Sequence, residues 1–212
     1  MKTYQPPGDP LKLDHLTGSY LIYCEKAENY LQLPDKMTLD ILPATNANGT
    51  TAQFRMALVE GTMLLALSNY ALEKLRHDMA VDPEESDSYD EWDSDGYNGK
   101  RKAKGPAGGP PIKRRLGVAP KPNRVHLHWA GRAPEADIEI GQEEKHTGFL
   151  DFDASKATVH GEWVHPNFFG DESIPFTIYK CADEPAKRPE KRSFYSEKQY
   201  DYESDTRWGR YR

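Results

Sequence analysis

Apolar and polar residues alternate along much of this chain with a period of two, the period of a strand that buries one face. In LTGSYLIYCE, Tyr20, Ile22 and Cys24 fall on one side and Leu21 and Tyr23 on the other. MTLDILP sets Met37, Leu39 and Ile41 against Thr38 and Asp40, and Pro43 stops the run because it cannot donate to a ladder. NANGTT supplies turn chemistry, Asn-Gly above all. TAQFRMALVEGTMLLALS reads as a hairpin. Phe54, Met56 and Leu58 face one way, Gln53 and Arg55 the other, and a reversal at Glu60-Gly61 brings Met63, Leu65 and Leu67 back into pairing.

The rhythm resumes after a long charged stretch. RVHLHWAGR places Val125, Leu127 and Trp129 opposite His126 and His128. Ala136 to Ile140 alternates Ile138 and Ile140 with Asp137 and Glu139, and Thr147 to Phe152 is a short aromatic run. Lys156 to Val164 sets Val159, Gly161 and Trp163 against His160 and Glu162; Pro175 to Cys181 sets Phe176 and Ile178 against Thr177 and Tyr179. A helical period occurs once, in YALEKLRHDM, where Leu72, Leu75 and Met79 share a face. Asn69 is placed to cap it, and its position suggests a plug over one barrel end.

Eight or nine such segments, each with one apolar face, predict an all-β fold: an antiparallel meander closed into an up-and-down β-barrel. Closure buries the apolar face and removes the sheet edges. A two-sheet β-sandwich is the alternative. The predicted domain runs from 14 to 181, after an irregular lead-in over 1–13 rich in Pro. An insert over 79–123 interrupts it, and the tail over 182–212, with mixed charges and no apolar period, reads as disordered.

Composition sharpens this picture. Hydrophobic residues make up 37% of 212, which supports one modest core if the polar residues collect in insert and tail, as they do. The net charge of -6 conceals two opposed blocks. Residues 78–99 hold Asp and Glu without Lys or Arg, and residues 100–124 hold Lys and Arg without Asp or Glu. No apolar run is long enough to span a membrane, and the N-terminus has no apolar segment of a secretory signal. Two cysteines, Cys24 and Cys181, fit a reducing compartment and read as structural thiols in apolar strands. The expectation is therefore a nuclear or otherwise cytoplasmic protein that is not secreted.

Candidate chemistry lies first in the insert. Lys100, Arg101, Lys102 and Lys104 form one basic cluster and Lys113, Arg114 and Arg115 a second, separated by a Gly/Pro/Ala spacer. This is the pattern of a bipartite import signal, in which an extended chain lays two cationic patches on an import receptor. Nucleic acid is the less favoured partner, because the adjoining acidic block competes for the same cations. That block is also placed to mask the signal, more strongly if Ser88 is phosphorylated. Imidazole and carboxylate at His126, His128, His160 and Glu162 are weak metal candidates, read mainly as solvent-facing strand residues. Inward Tyr20, Phe54, Trp129, Trp163 and Phe176 either line a ligand cavity or fill a small barrel, the second being preferred. No nucleophile elbow, phosphate-binding Gly loop, H-E-x-x-H or C-x-x-C occurs, so neither a catalytic residue nor a cofactor is expected. The tail mixes Phe194, Tyr195, Tyr200, Tyr202, Trp208 and Tyr211 with charges, which suits a protein contact.

The ordered signatures GSYLIYC, VEGTMLL, HLHWAGR and TGFLDF, closed by FTIYKC, resemble a group of uncharacterised filamentous-fungal proteins over about residues 14–181. The strand rhythm also resembles calycin-type barrels, with Gly18-Ser19-Tyr20 where lipocalins have Gly-x-Trp. The first resemblance implies no activity; the second implies a barrel. The function expected from the sequence is a non-enzymatic nuclear interaction module with an unidentified protein partner. A small-molecule-binding barrel or barrel enzyme is the alternative.

Overall fold

A computed structural model describes residues 11–31, 36–80, 123–132, 138, 143–152 and 158–208. Eight antiparallel strands close into one barrel in chain order: β1 (Gly18–Tyr23), β2 (Met37–Ile41), β3 (Thr50–Met56), β4 (Val59–Ala66), β5 (Arg124–Arg132), β6 (Thr147–Phe152), β7 (Thr158–Val164) and β8 (Ser173–Ala182). β1 pairs with both β2 and β8, so no strand has an open edge. The up-and-down barrel is thus the fold, and the sandwich is not. The strand expected over Ala136–Ile140 is reduced among the described residues to one bridge, Arg132 to Ile138.

Alternation decides what enters the barrel. Tyr20, Ile22, Leu39, Ile41, Phe54, Met56, Leu65, Val125, Leu127, Trp129, Leu150, Trp163, Phe176 and Ile178 join one buried cluster. An eight-stranded barrel is only about wide enough for side chains to fill it, and Phe54, Trp129 and Trp163 do so by ring contact. Phe54 meets Trp129 edge-on at 5.9 Å, and Trp129 lies 5.7 Å from Trp163. Gly161 makes room for a further ring: a Cβ there would sit 2.4 Å from Phe176 Cζ. The Tyr20 hydroxyl donates to the Leu16 carbonyl (2.6 Å) and tethers the 3-10 turn Leu13–Leu16 to β1.

Several local expectations are corrected. The β3–β4 reversal falls at Ala57-Leu58, since Met56 pairs with Val59, with Ala57 at φ 54°. Gly61 lies inside β4 opposite Phe54, and Leu58 and Leu67 are exposed instead of inward. The polar segment after β1 forms a short helix, α1 (Glu25–Leu31). The next helix, α2 (Asn69–Ala80), is capped by Ser68, whose Oγ accepts from the Ala71 amide (3.2 Å). α2 does not plug the barrel. Leu72 and Leu75 pack with Leu64 and Ala66, outward residues of β4. A one-turn helix, α3 (Pro166–Phe169), links β7 and β8.

The tail departs most from expectation. Residues 182–208 are ordered as a strap that ends in a 3-10 turn, Arg192–Tyr195, and helix α4 (Glu197–Trp208). Sequence periodicity missed it because individual contacts, most of them polar, hold it to the barrel. The Ala186 amide donates to Asp40 Oδ1 (2.8 Å) and Ser19 Oγ (2.9 Å), and Ser19 Oγ itself donates to Asp40. Thr62 Oγ1 donates to the Glu190 carbonyl (2.7 Å), and Arg192 Nη2 meets His128 Nδ1 (2.8 Å). Tyr195 buries its ring with Ala130 and Ile138, and Arg132 pairs with Glu203 (3.2 Å). The strap explains why Asp40, Thr62 and His128, all on outward positions, are buried.

Candidate binding groove and buried histidines

Strap and α2 cover the outer wall from β2 to β5, while the wall of β6, β7, β8 and β1 carries a groove of about 900 Å³. Its lining follows from register. Arg124 faces Asp151, Asp151 faces His160, His160 faces Thr177, and Thr177 faces Tyr23, one outward row across five strands. The row beside it sets Phe149 against Glu162 and Glu162 against Pro175. α1 adds Glu25, Lys26 and Asn29 at one border, and Glu172 completes it.

The groove already contains a guanidinium-recognition arrangement built from its own residues. Arg124 donates through Nε and Nη2 to both oxygens of Asp151, each at 2.7 Å, and lies 3.5 Å above the Phe149 ring. The hydrogen bond to Asp151 holds the Arg124 pKa above its ordinary value. Lys26 is paired with Glu172 (2.6 Å). Glu162 accepts from Ser173 Oγ (2.9 Å), and His160 Nδ1 lies 3.3 Å from Thr177 Oγ1. With Arg124 and Lys26 engaged, Glu25 and Glu162 leave the lining acidic, beside the exposed ring of Tyr23.

The residues singled out from sequence separate into three groups. Tyr20, Phe54, Trp129, Trp163 and Phe176 are all buried in the core cluster, where they pack as filling. His160 is exposed, and Glu162 and His126 are partly buried on the outer wall; burial holds the His126 pKa below its ordinary value. His128 also points outward but is not solvent-facing: it is 1% exposed beneath Arg192. These four do not converge. β6 separates β5 from β7 and puts Phe149 between His126 and Glu162. No three His, Cys, Asp or Glu gather as metal ligands among the described residues. The basic clusters of Lys100–Lys104 and Lys113–Arg115, the acidic block and Ser88 lie outside the described residues. Cys24 is a buried free thiol, as expected, whereas Cys181 is exposed.

Two histidines with no alternating pattern to mark them form the most unusual interior feature. His146 and His165 stand just before β6 and just after β7, and both are 0% exposed. The Trp129 amide donates to the His146 carbonyl (3.0 Å), which extends the β5–β6 pairing and aligns the two rings. The rings stack at 3.9 Å with planes 9° apart. His165 lies 4.9 Å from Trp129, 5.2 Å from Trp163 and 4.6 Å from Phe168 of α3. Trp129 Nε1 donates to the Val164 carbonyl (3.0 Å), but Trp163 Nε1 and the four imidazole nitrogens make no hydrogen bond of full geometry among the described residues, and only weaker backbone influences reach the rings, from Trp129 at His146 and from its own backbone at His165. Each such buried group costs about 1–3 kcal/mol. Burial lowers the pKa of both histidines to about 4, helped at His146 by Arg192 and at His165 by His146. Both are therefore neutral near pH 7.

Comparison with protein-family models, with curated proteins and with solved structures finds no match to this chain. The fold defines an eight-stranded up-and-down barrel with an aromatic core, and its exposed chemistry lies on the outer wall.

Proposed function

We propose that this protein is a non-enzymatic nuclear interaction module, with the barrel as a rigid scaffold and the outer groove as its recognition face. The observation that carries this reading is the division of chemistry between inside and outside. The rings that would line an interior ligand site pack in one core, whereas paired carboxylates and aromatic rings are displayed on the wall that the strap leaves open. The partner segment that suits this lining is extended and basic. Arg124 on Phe149 and Asp151 shows how these side chains hold a guanidinium, and Glu25 and Glu162 remain for another cation. A basic segment of a protein partner could therefore lie across β6–β8 without any opening of the barrel. In this reading the two basic clusters, Lys100–Lys104 and Lys113–Arg115, bring the module to the nucleus by binding an import receptor.

Two measurements test the two halves separately. Fluorescence polarisation with a labelled Lys/Arg-rich peptide reports the groove. Glu25→Gln combined with Glu162→Gln is expected to weaken binding about tenfold, or about 1.4 kcal/mol, while Glu73→Gln on α2 leaves it unchanged. Equal affinity for the groove variant and the parent would overturn the assignment of the groove. A fluorescent fusion carrying Lys113→Ala, Arg114→Ala and Arg115→Ala reports location. An unchanged distribution would remove the nuclear half of the proposal and leave the groove half standing.

A further inference from the structure

The outer wall changes character along its strands. At one end of the groove, Glu162 of β7 faces Pro175 of β8, and Glu25 opens α1 two residues beyond Tyr23. Four residues along the same strands, Thr158 faces Tyr179, Tyr179 faces Leu21, and Leu21 faces Thr38. That row crosses four neighbouring strands without a charged side chain. Tyr179 and Leu21 are both exposed in it. Tyr23 joins the two ends: it lines the groove, is exposed, and stands two residues from Leu21 on the same face of β1.

We propose that this wall reads an extended partner segment by two anchors, a Lys or Arg and a large apolar side chain four residues apart. The inference rests on the groove being the face for a basic segment, and it adds the second anchor and the spacing. The closed barrel offers no strand edge, so a partner cannot bind by adding a strand, and side-chain spacing must carry recognition. At about 3.3 Å per residue, the acidic row and the neutral row lie about 13 Å apart. In an extended segment laid along the strands, side chains at i, i+2 and i+4 point the same way, and i to i+4 spans that distance. A helix would need about nine residues to span it. Charge complementarity places the cation at the end of Glu162 and Glu25. The apolar anchor then lies on Tyr179 and Leu21, where it leaves water at no cost to a charged group in register.

Fluorescence polarisation with the full chain and labelled Arg-Ser-Arg-Ser-Thr-Ser-Leu-Ser tests this, together with the same peptide in reversed order. In the order that binds better, changing Leu to Ser should weaken binding about fivefold, and moving Leu by one position should weaken it similarly. The chain carrying Leu21→Ser and Tyr179→Ser should no longer distinguish these peptides, yet should keep its dependence on Glu25 and Glu162. In case that variant folds poorly, amide NMR of the parent gives an independent reading: the Leu peptide should shift Leu21 and Tyr179, and the Ser peptide should not. Equal affinity for all these peptides, with Glu25→Gln and Glu162→Gln still weakening binding, would overturn the second anchor and leave the groove reading standing. Binding that ignores the glutamate changes as well would overturn both. The inference also falls if Tyr179→Ser lowers the mass measured by sedimentation while peptide discrimination persists, since the patch would then join two copies of this chain.

Discussion

Trp129 and His146 lie face to face across the β5–β6 pairing, 3.9 Å between ring centroids and 9° from parallel. The hydrogen bond from the Trp129 amide to the His146 carbonyl fixes this pairing, and the inward side of the barrel excludes water from it. A titratable ring with no full hydrogen bond is thereby placed where it is 0% exposed.

Acid should destabilise the protein in a defined window. Folded His146 and His165 titrate at about 4, whereas unfolded they return to the ordinary 6.5. Above 6.5 both states are neutral and stability is full. Between 6.5 and 4 the unfolded chain binds protons that the folded one refuses, so stability falls as pH falls. The loss is about 1.4 kcal/mol per pH unit per histidine, or about 3 kcal/mol each. Below about 4 these groups contribute no further change. Urea unfolding across this range, in the parent and in His146→Gln with His165→Gln, measures the effect. The double variant should lack most of the slope.

Replacing each histidine by phenylalanine removes the unpaired nitrogens and keeps a flat ring. His165→Phe is expected to stabilise the chain at pH 7 by about 1–2 kcal/mol. Denaturant midpoints at constant slope would show it, and a loss of stability would indicate that these nitrogens are satisfied by water in solution.

Deleting residues 183–212 should destabilise the barrel without unmaking it. Thr62, Asp40 and His128 would lose their strap contacts and Ala130 would lose the Tyr195 ring. Tyr195→Ala alone should cost about 3 kcal/mol through lost ring burial. Amide exchange should rise first in β4 and β5 and little in β7 and β8.

Backbone geometry gives two opposed glycine predictions. Ala57→Gly relieves a non-glycine residue at φ 54° and should be neutral or stabilising by up to about 1 kcal/mol. Gly161→Ala drives a methyl to within 2.4 Å of the Phe176 ring and should cost about 1–3 kcal/mol. Thermal midpoints of the two variants should move in opposite directions or, for Ala57→Gly, stay in place.

The period-two pattern placed most of the strands and the core rings and favoured closure of the sheet, while the β3–β4 reversal and the choice between barrel and sandwich needed the structure. One-sided strands need a common interior, and unpaired edges need partners. Leu72, Leu75 and Met79 likewise declared the inner face of α2. Sequence alone could not tell outward from exposed. His128 and Thr62 alternate as surface residues do, yet they are buried because a segment more than 60 residues away lies over them. That strap has no apolar period, and individual contacts, the buried Tyr195 ring and several polar bonds, hold it rather than an amphipathic stripe. His146 and His165 left no pattern either, since each stands one position outside a strand and becomes interior only when β5, β6 and β7 are side by side. Local alternation therefore determined which residues enter the barrel. Tertiary structure decided which polar ones are denied water, because that depends on what covers them from elsewhere in the chain.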